Sequence, residues 1–324
     1  MFKRLGFAIR LTPIPDSPLP DMLRSSLLYL SERDVPRKLL SQSSLGRRMA
    51  RRFIAGEEVD DAMRAVRRLN ADGFEATLDY LGESVNERAA AEQAAQVYLG
   101  LLNRLDAERL RSHISVKLTQ LGLAVSEELA CGLLKAIAER AAQQRNFVRI
   151  DMEGSAYTEG TLRVFREVNA PVDVLGVVVQ SYLYRSERDV SDVIQRGARV
   201  RLVKGAYKEP PEVAFPHKAD VDRNFVKVMQ MLLASGGYHA IATHDPRMIA
   251  ATQELARSKR LAPDRYEFQM LYGIRRQLQR ELLKQGYRMR VYVPYGKQWY
   301  AYFMRRLAER PANLLFLMRN IVRE

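Results

Sequence analysis

The chain has 324 residues, a formal net charge of +14 at pH 7, 47% hydrophobic residues and one cysteine. That length exceeds one ordinary domain but fits a (β/α)8 barrel of about 250 residues with a helical extension. The lone Cys131 excludes an intrachain disulfide and suits a reducing compartment. No uninterrupted apolar stretch approaches the roughly 20 residues of a membrane-spanning helix, and four scattered histidines, His113, His217, His239 and His244, give no zinc spacing.

The first twenty residues, MFKRLGFAIRLTPIPDSPLP, do not read as a signal peptide: Arg10 interrupts the short apolar run and no small-residue cleavage site follows. A cytoplasmic protein is expected. TPIPDSPLP is an extended lead-in, because proline fixes φ and restrains the residue before it. DMLRSSLLYLSE and EEVDDAMRAVRRLNADG then carry apolar residues at spacings of three and four, the pattern of amphipathic helices. Gly73 stops the second of them. Residues 1–70 are therefore expected to form an N-terminal helical segment.

From residue 74 apolar and β-branched runs alternate with helical patterns. The runs are FEATLDY (74–80), HISVKLT (113–119), FVRIDME (147–153), LGVVVQSY (175–182), ARVRLVKGAY (198–207), HAIATHD (239–245), YEFQMLYG (266–273) and RMRVYVPYG (288–296). Between them lie helices such as NERAAAEQAAQVYLGLLNRL and SEELACGLLKAIAERAAQQ, where Cys131 reads as a small buried hydrophobe. Eight strand–helix units predict parallel pairing and closure into a barrel over residues 71–324. The rival, an open doubly wound sheet, usually shows a glycine-rich phosphate loop after its first strand, and FEATLDYLGESVNE has none.

Barrel sites lie at the carboxyl ends of the strands. The polar residues there are Asp79, Lys117, Asp151, Glu153, Gln180, Arg201, Lys204, Thr243, His244, Asp245, Gln269 and Tyr292. No H-E-x-x-H, C-x-x-C or G-x-S-x-G is present. After the eighth run, YAYFMRRLAERPANLL places Tyr302, Arg306 and Glu309 near one another on a helix, with Arg305 one step round. Two adjacent guanidinium groups suit a carboxylate, but they also fit a solvated pair with Glu309 as intrahelical partner, and spacing alone leaves both readings open. RLVKGAYKEPPEVAFPHKADVDRNF is a long loop dense in cations and glycine, suited to a phosphate-bearing cofactor. The excess positive charge favours anionic partners, but its arginines are spread along the chain without an aromatic-rich or helix-turn-helix pattern. A diffuse basic surface is expected, not a specific nucleic-acid site.

SVKLTQLG, IDMEG, VVVQSYLYR, RLVKGAY, ATHD, YEFQMLYG and YVPYG followed by YFMRRLAE, in that order, resemble the proline dehydrogenases. The resemblance runs from about residue 70 to the C-terminus, and the length is similar to that of the monofunctional bacterial enzymes. It implies a distorted (β/α)8 TIM barrel with noncovalent FAD. It also implies oxidation of L-proline to Δ1-pyrroline-5-carboxylate by hydride transfer to flavin N5, with electrons passed to a membrane quinone. By that resemblance Arg305, Arg306 and Lys117 bind the proline carboxylate. Tyr302, Leu271 and Tyr292 line the substrate pocket, while Asp151 and Glu309 match family site residues. Gln180 and Arg201 contact the flavin ring; Lys204, Gly205, Ala206 and Tyr207 form the cofactor loop; His217, Lys218, Thr243 and His244 contact the rest of the cofactor. A basic surface would also hold such an enzyme peripherally on anionic lipid at the inner face of the membrane. The turn before the last helix is shorter than in the bifunctional enzymes, and the pair Arg275-Arg276 has no assignment. The competing chemistry is a Schiff-base lyase or aldolase using Lys117 or Lys204.

Overall fold

The computed structural model describes residues 44–82, 84–168 and 174–309. The proline-rich lead-in and the helix expected over DMLRSSLLYLSE lie outside the described residues. Residues Arg48–Trp299 form one compact unit that holds the whole sheet; the described residues 44–47 and 300–309 fall in a second unit.

Eight parallel strands close into a barrel in sequence order, with β8 returning to pair with β1. They are β1 (Glu75–Tyr80), β2 (Ser112–Val116), β3 (Val148–Ile150), β4 (Leu175–Gln180), β5 (Arg199–Val203), β6 (His239–Ala242), β7 (Tyr266–Leu271) and β8 (Arg288–Tyr295). Helices α3 (Arg88–Ala107), α4 (Glu127–Gln143), α5 (Ser155–Val168), α6 (Ser186–Gln195), α7 (Lys218–Ala234), α8 (Pro246–Ser258) and α9 (Arg276–Lys284) fill the crossovers. Short α1 (Ser44–Ala50) and α2 (Val59–Ala71) precede the barrel, and α10 (Trp299–Glu309) follows it. The closed barrel replaces the rival open sheet.

The helices form for local reasons that the sequence carries. In α4, Ser126 accepts from the Leu129 N–H at 3.0 Å, two glutamates occupy the first turn, and Leu134, Ile137, Ala138 and Ala141 repeat on the buried face. α8 begins with Asp245 as cap and Pro246 at its first position. α2 ends at Ala71, and Gly73 continues the chain at φ +89. Its buried face, Ala62, Met63, Ala65 and Val66, packs on β1 and β8. Cys131 is buried within α4, and burial pushes its thiol up to about 11, away from nucleophilic use.

Side chains alternate along each strand. The positions facing the helices are apolar: Leu78, Ile114, Val148, Ile150, Val200, Leu202, Phe268, Met270, Val291 and Val293 belong to the main core cluster. Barrel interiors are commonly filled by branched aliphatics, but here the inward positions carry Arg149, Arg201, Glu267, Gln269 and Arg290, all buried. Arg290 Nε donates to both Glu267 oxygens at 3.0 and 3.1 Å and Nη1 donates to the Ala76 carbonyl at 2.8 Å. Arg149 reaches across β4 to donate to the Arg199 carbonyl at 2.5 Å and the Val177 carbonyl at 3.2 Å. A buried charge is tolerable only when paired or fully hydrogen-bonded, and most of this network meets that condition.

Candidate active site

Five strands deliver one polar cluster at their carboxyl ends. Asp151 follows β3 directly, and its N–H still donates to the Val116 carbonyl at 2.9 Å, so the last ladder bond fixes it. Its Oδ1 accepts from Arg201 Nη1 at 2.7 Å and its Oδ2 from the Tyr292 hydroxyl at 2.6 Å. Arg201 also donates to Ser115 Oγ at 3.2 Å, and its guanidinium lies 5.2 Å from the Tyr292 ring centroid. Lys117 Nζ pairs with Asp79 and stands 3.8 Å from Asp151 Oδ2. Two carboxylates thus balance two cations.

Burial alone would lower the Lys117 pKa, but the carboxylates of Asp79 and Asp151 more than offset it and hold the ammonium charged. Lys204 behaves likewise between Asp222 and Asp245. A Schiff-base nucleophile needs the opposite, a depressed amine pKa, so neither lysine suits the lyase chemistry. Burial, then the Asp151 charge, push the Tyr292 hydroxyl well above its ordinary value, so it remains a proton donor.

Beside this cluster, Gln180 at the end of β4 is buried and donates to the Glu153 carbonyl at 3.0 Å. The Glu153 carboxylate turns to Thr119, accepting from its hydroxyl at 2.6 Å and from its N–H at 3.2 Å. Leu271 ends β7, and its N–H donates to His244 Nε2 at 3.0 Å, which ties the β6 and β7 exits together.

The β5–α7 loop carries the second group. Gly205 has φ +129, and a Cβ there would lie 2.5 Å from Tyr182 Cδ1, so only glycine permits this backbone against that ring. Ala206 and Tyr207 continue the loop, His217 occupies the N-cap position of α7 without a side-chain capping bond, and Lys218 opens the helix. Lys204 donates to Asp245 at 2.8 Å and also pairs with Asp222, which Lys218 and Arg247 share. Thr243 Oγ1 accepts from the Asp245 N–H at 3.1 Å. Burial would raise the Asp245 carboxyl, but Arg247 and Lys204 hold it well below the usual carboxylate range. The loop's lysine is therefore not a bare cation. Asp222, its anchor, was absent from the sequence expectations; its signal is the four-residue spacing from Lys218 on one helix face. Ser115 was also missed, since a buried serine inside a strand has no distinctive pattern.

Tyr302, Arg305, Arg306 and Glu309 all fall on α10. Within that helix the Arg306 guanidinium lies 5.1 Å from the Tyr302 ring centroid, and both residues are buried. The Glu309 side chain lies outside the described residues.

The sequence profile of the family described as proline dehydrogenase matches residues 62–319. Proline dehydrogenase 1 of Bacillus subtilis (strain 168) is 44% identical over 304 residues, covering 94% of this chain and 100% of that protein. The chain belongs to the proline dehydrogenase family. Proline dehydrogenase of Deinococcus radiodurans is 37% identical over 310 residues, covering 94% of this chain and 99% of the relative. Among solved structures, proline utilization A from Bdellovibrio bacteriovorus inactivated by N-propargylglycine superposes with a TM-score of 0.77 at 26% identity, covering 89% of this chain and 36% of that one. A proline dehydrogenase is an oxidoreductase of proline catabolism, and the family is flavin-dependent.

Proposed function

We propose that this proline dehydrogenase uses FAD, and that the cluster around Asp151 orders the ring end of its site. The observation that carries this reading is the convergence of Asp79, Lys117, Asp151, Arg201 and Tyr292 from β1, β2, β3, β5 and β8. The residues fit the group. Arg201 Nε is buried and finds no acceptor among the described residues, a donor waiting for one. Gly205 lets the loop backbone pack directly against the Tyr182 ring, a close turn that no Cβ permits and that keeps the loop at the strands' carboxyl ends. Gln180 and Arg201 would hold the flavin ring; Lys204, Gly205, Ala206 and Tyr207, with His217, Lys218, Thr243 and His244, would hold the remainder. FAD, when bound, supplies the two-electron acceptor for the hydride leaving the proline ring carbon beside nitrogen.

The chain's own residues bind and orient. Arg305 and Arg306 grip the L-proline carboxylate through forked hydrogen bonds, with Lys117 assisting and Glu309 beside them. Tyr302, Leu271 and Tyr292 wall the small apolar ring and exclude water. Asp151 fixes Arg201 and Tyr292 against each other, so their donors need no reorganisation during reaction. The product is Δ1-pyrroline-5-carboxylate, and the electrons pass to a quinone. The excess of positive charge supports peripheral contact with anionic lipid, where such an acceptor resides.

The visible spectrum of the purified protein, with cofactor released by denaturation and identified by chromatography, tests the first claim. FAD bands that bleach on adding L-proline support it; a folded preparation that never takes up flavin rejects it. Liposome cosedimentation that rises with acidic lipid content supports the membrane contact, and indifference to it argues against.

A further inference from the structure

We infer that the outer wall of the barrel carries a second binding site, for a small molecule with an apolar body and an anionic head. It is a cavity of about 200 Å³ between α2 and α9, over β8. Its apolar lining comes from Leu69, Phe74, Tyr272 and Val291, and its cations are Arg68, Arg276 and Arg280. One carboxylate, Asp72, also lines it, which leaves a local excess of two positive charges.

These three arginines differ from their neighbours. On the same helix Arg64 pairs with Asp61, and Arg67 with Glu108 at 3.0 Å. Among the described residues no carboxylate oxygen lies within the ion-pair limit of 4.0 Å from Arg68, Arg276 or Arg280. Arg276 contributes one contact, its guanidinium 5.8 Å from the Tyr272 ring centroid. It also opens α9, whose first turn holds no acidic residue, so the helix dipole opposes its charge. An anion in the cavity would offset that repulsion and give the guanidinium forks an acceptor. This accounts for Arg276 and Arg280, which the substrate and cofactor residues do not use.

The occupant is set by shape and charge. The volume admits a body about the size of one aromatic ring, and Phe74 and Tyr272 offer it apolar and aromatic surface. The head is a phosphate or carboxylate, since a guanidinium matches both. Gln279 also lines the cavity, and its amide donates to the Leu271 carbonyl at 3.1 Å and the Ile274 carbonyl at 2.7 Å, so an occupant abuts the turn that leaves β7.

Phenyl phosphate is the probe, because a carboxylate would also compete at the proline site. Titration calorimetry on the flavin-loaded enzyme is expected to show saturable binding. Inorganic phosphate should bind at least about tenfold more weakly, lacking the apolar body, and phenol likewise, lacking the charge. In R276A/R280A, whose replaced side chains are exposed, phenyl phosphate affinity should fall at least about tenfold while proline turnover is unchanged. Saturating L-proline should not displace the probe. Absence of saturable binding, equal affinity in R276A/R280A, or equal affinity for inorganic phosphate would each overturn the site. The phenyl phosphate affinities can be read with or without bound flavin and do not depend on the cofactor and clamp assignments, so failure there is distinguishable from failure here.

Discussion

Asp151 takes its two hydrogen bonds from β5 and β8, which do not border β3, so it acts as a tie across the barrel mouth. Hydrogen bonds to a charged group are worth about 1.5–3 kcal/mol. Tyr292→Phe removes one donor and the polar edge of the proposed pocket; kcat/KM for proline should fall roughly tenfold to a hundredfold with the fold intact. Unchanged kinetics would show that the hydroxyl is structural only. Arg306→Lys replaces a fork with a single ammonium, so KM for proline should rise more than kcat falls, and a variant with wild-type KM would remove Arg306 from the clamp. His239 governs a different property. It accepts from the Val200 N–H at 3.1 Å and meets Ser235, and burial pushes its pKa down to about 4. An unfolded histidine titrates near 6.5. Between these values the unfolded state binds more protons, so stability falls as pH drops from 6.5 to 4, by roughly 3 kcal/mol for this residue, and is unaffected by it above 6.5. Thermal melts across that window should show the loss, with a shallower slope in His239→Gln; identical slopes would assign the effect elsewhere. Lys117, Arg201 and Tyr292 were legible in the sequence because polar residues within or just after apolar, β-branched runs stand out, whereas the Ser115 and Asp222 anchors depend on contacts that no short window shows.

At the level of elements, all eight strands were legible, since each is a short apolar or β-branched run bounded by polar or glycine-containing turns. The carboxyl end of β1 at Tyr80 was legible too, but most of the others were not. HISVKLT was expected to run to residue 119, but β2 stops at Val116; ARVRLVKGAY was expected to run to residue 207, but β5 stops at Val203. The ladder ends where the neighbouring strand turns away, and the next residues still look β-branched or apolar while already building the mouth. Gly205 marks one such exit. Gly205→Ala forces a Cβ into the Tyr182 ring at a left-handed φ, a strain of about 1–3 kcal/mol. The expected result is a folded protein that loses flavin on gel filtration while the wild type retains it; equal retention would remove the loop from the cofactor site.

For the molecule as a whole, the sequence also held a signal that periodicity makes visible only after closure. In VRI, RVRLV, YEFQML and RMRVYV, charged or amide residues alternate with apolar ones. That alternation usually marks a strand with one face in water, but in a closed barrel ringed by helices the polar face turns inward. It fills this interior with the Glu75–Arg290–Glu267 network and with Arg149, beneath the Asp151 cluster. The net charge of +14 is the outward counterpart of the same arginine-rich composition, and it includes Arg68, Arg276 and Arg280 over β8, which meet no carboxylate among the described residues and form the proposed anion site. On the proposed reading, what unites these features is a barrel whose charged mouth seats a flavin and presents L-proline to it. Anaerobic addition of L-proline to the purified enzyme, followed by visible absorbance, tests that most directly. The account predicts bound flavin bands that bleach at saturating proline, and that require far more proline to bleach in Arg306→Lys. Flavin bands that persist at saturating proline, or that bleach at the same proline concentration in the variant, would contradict it.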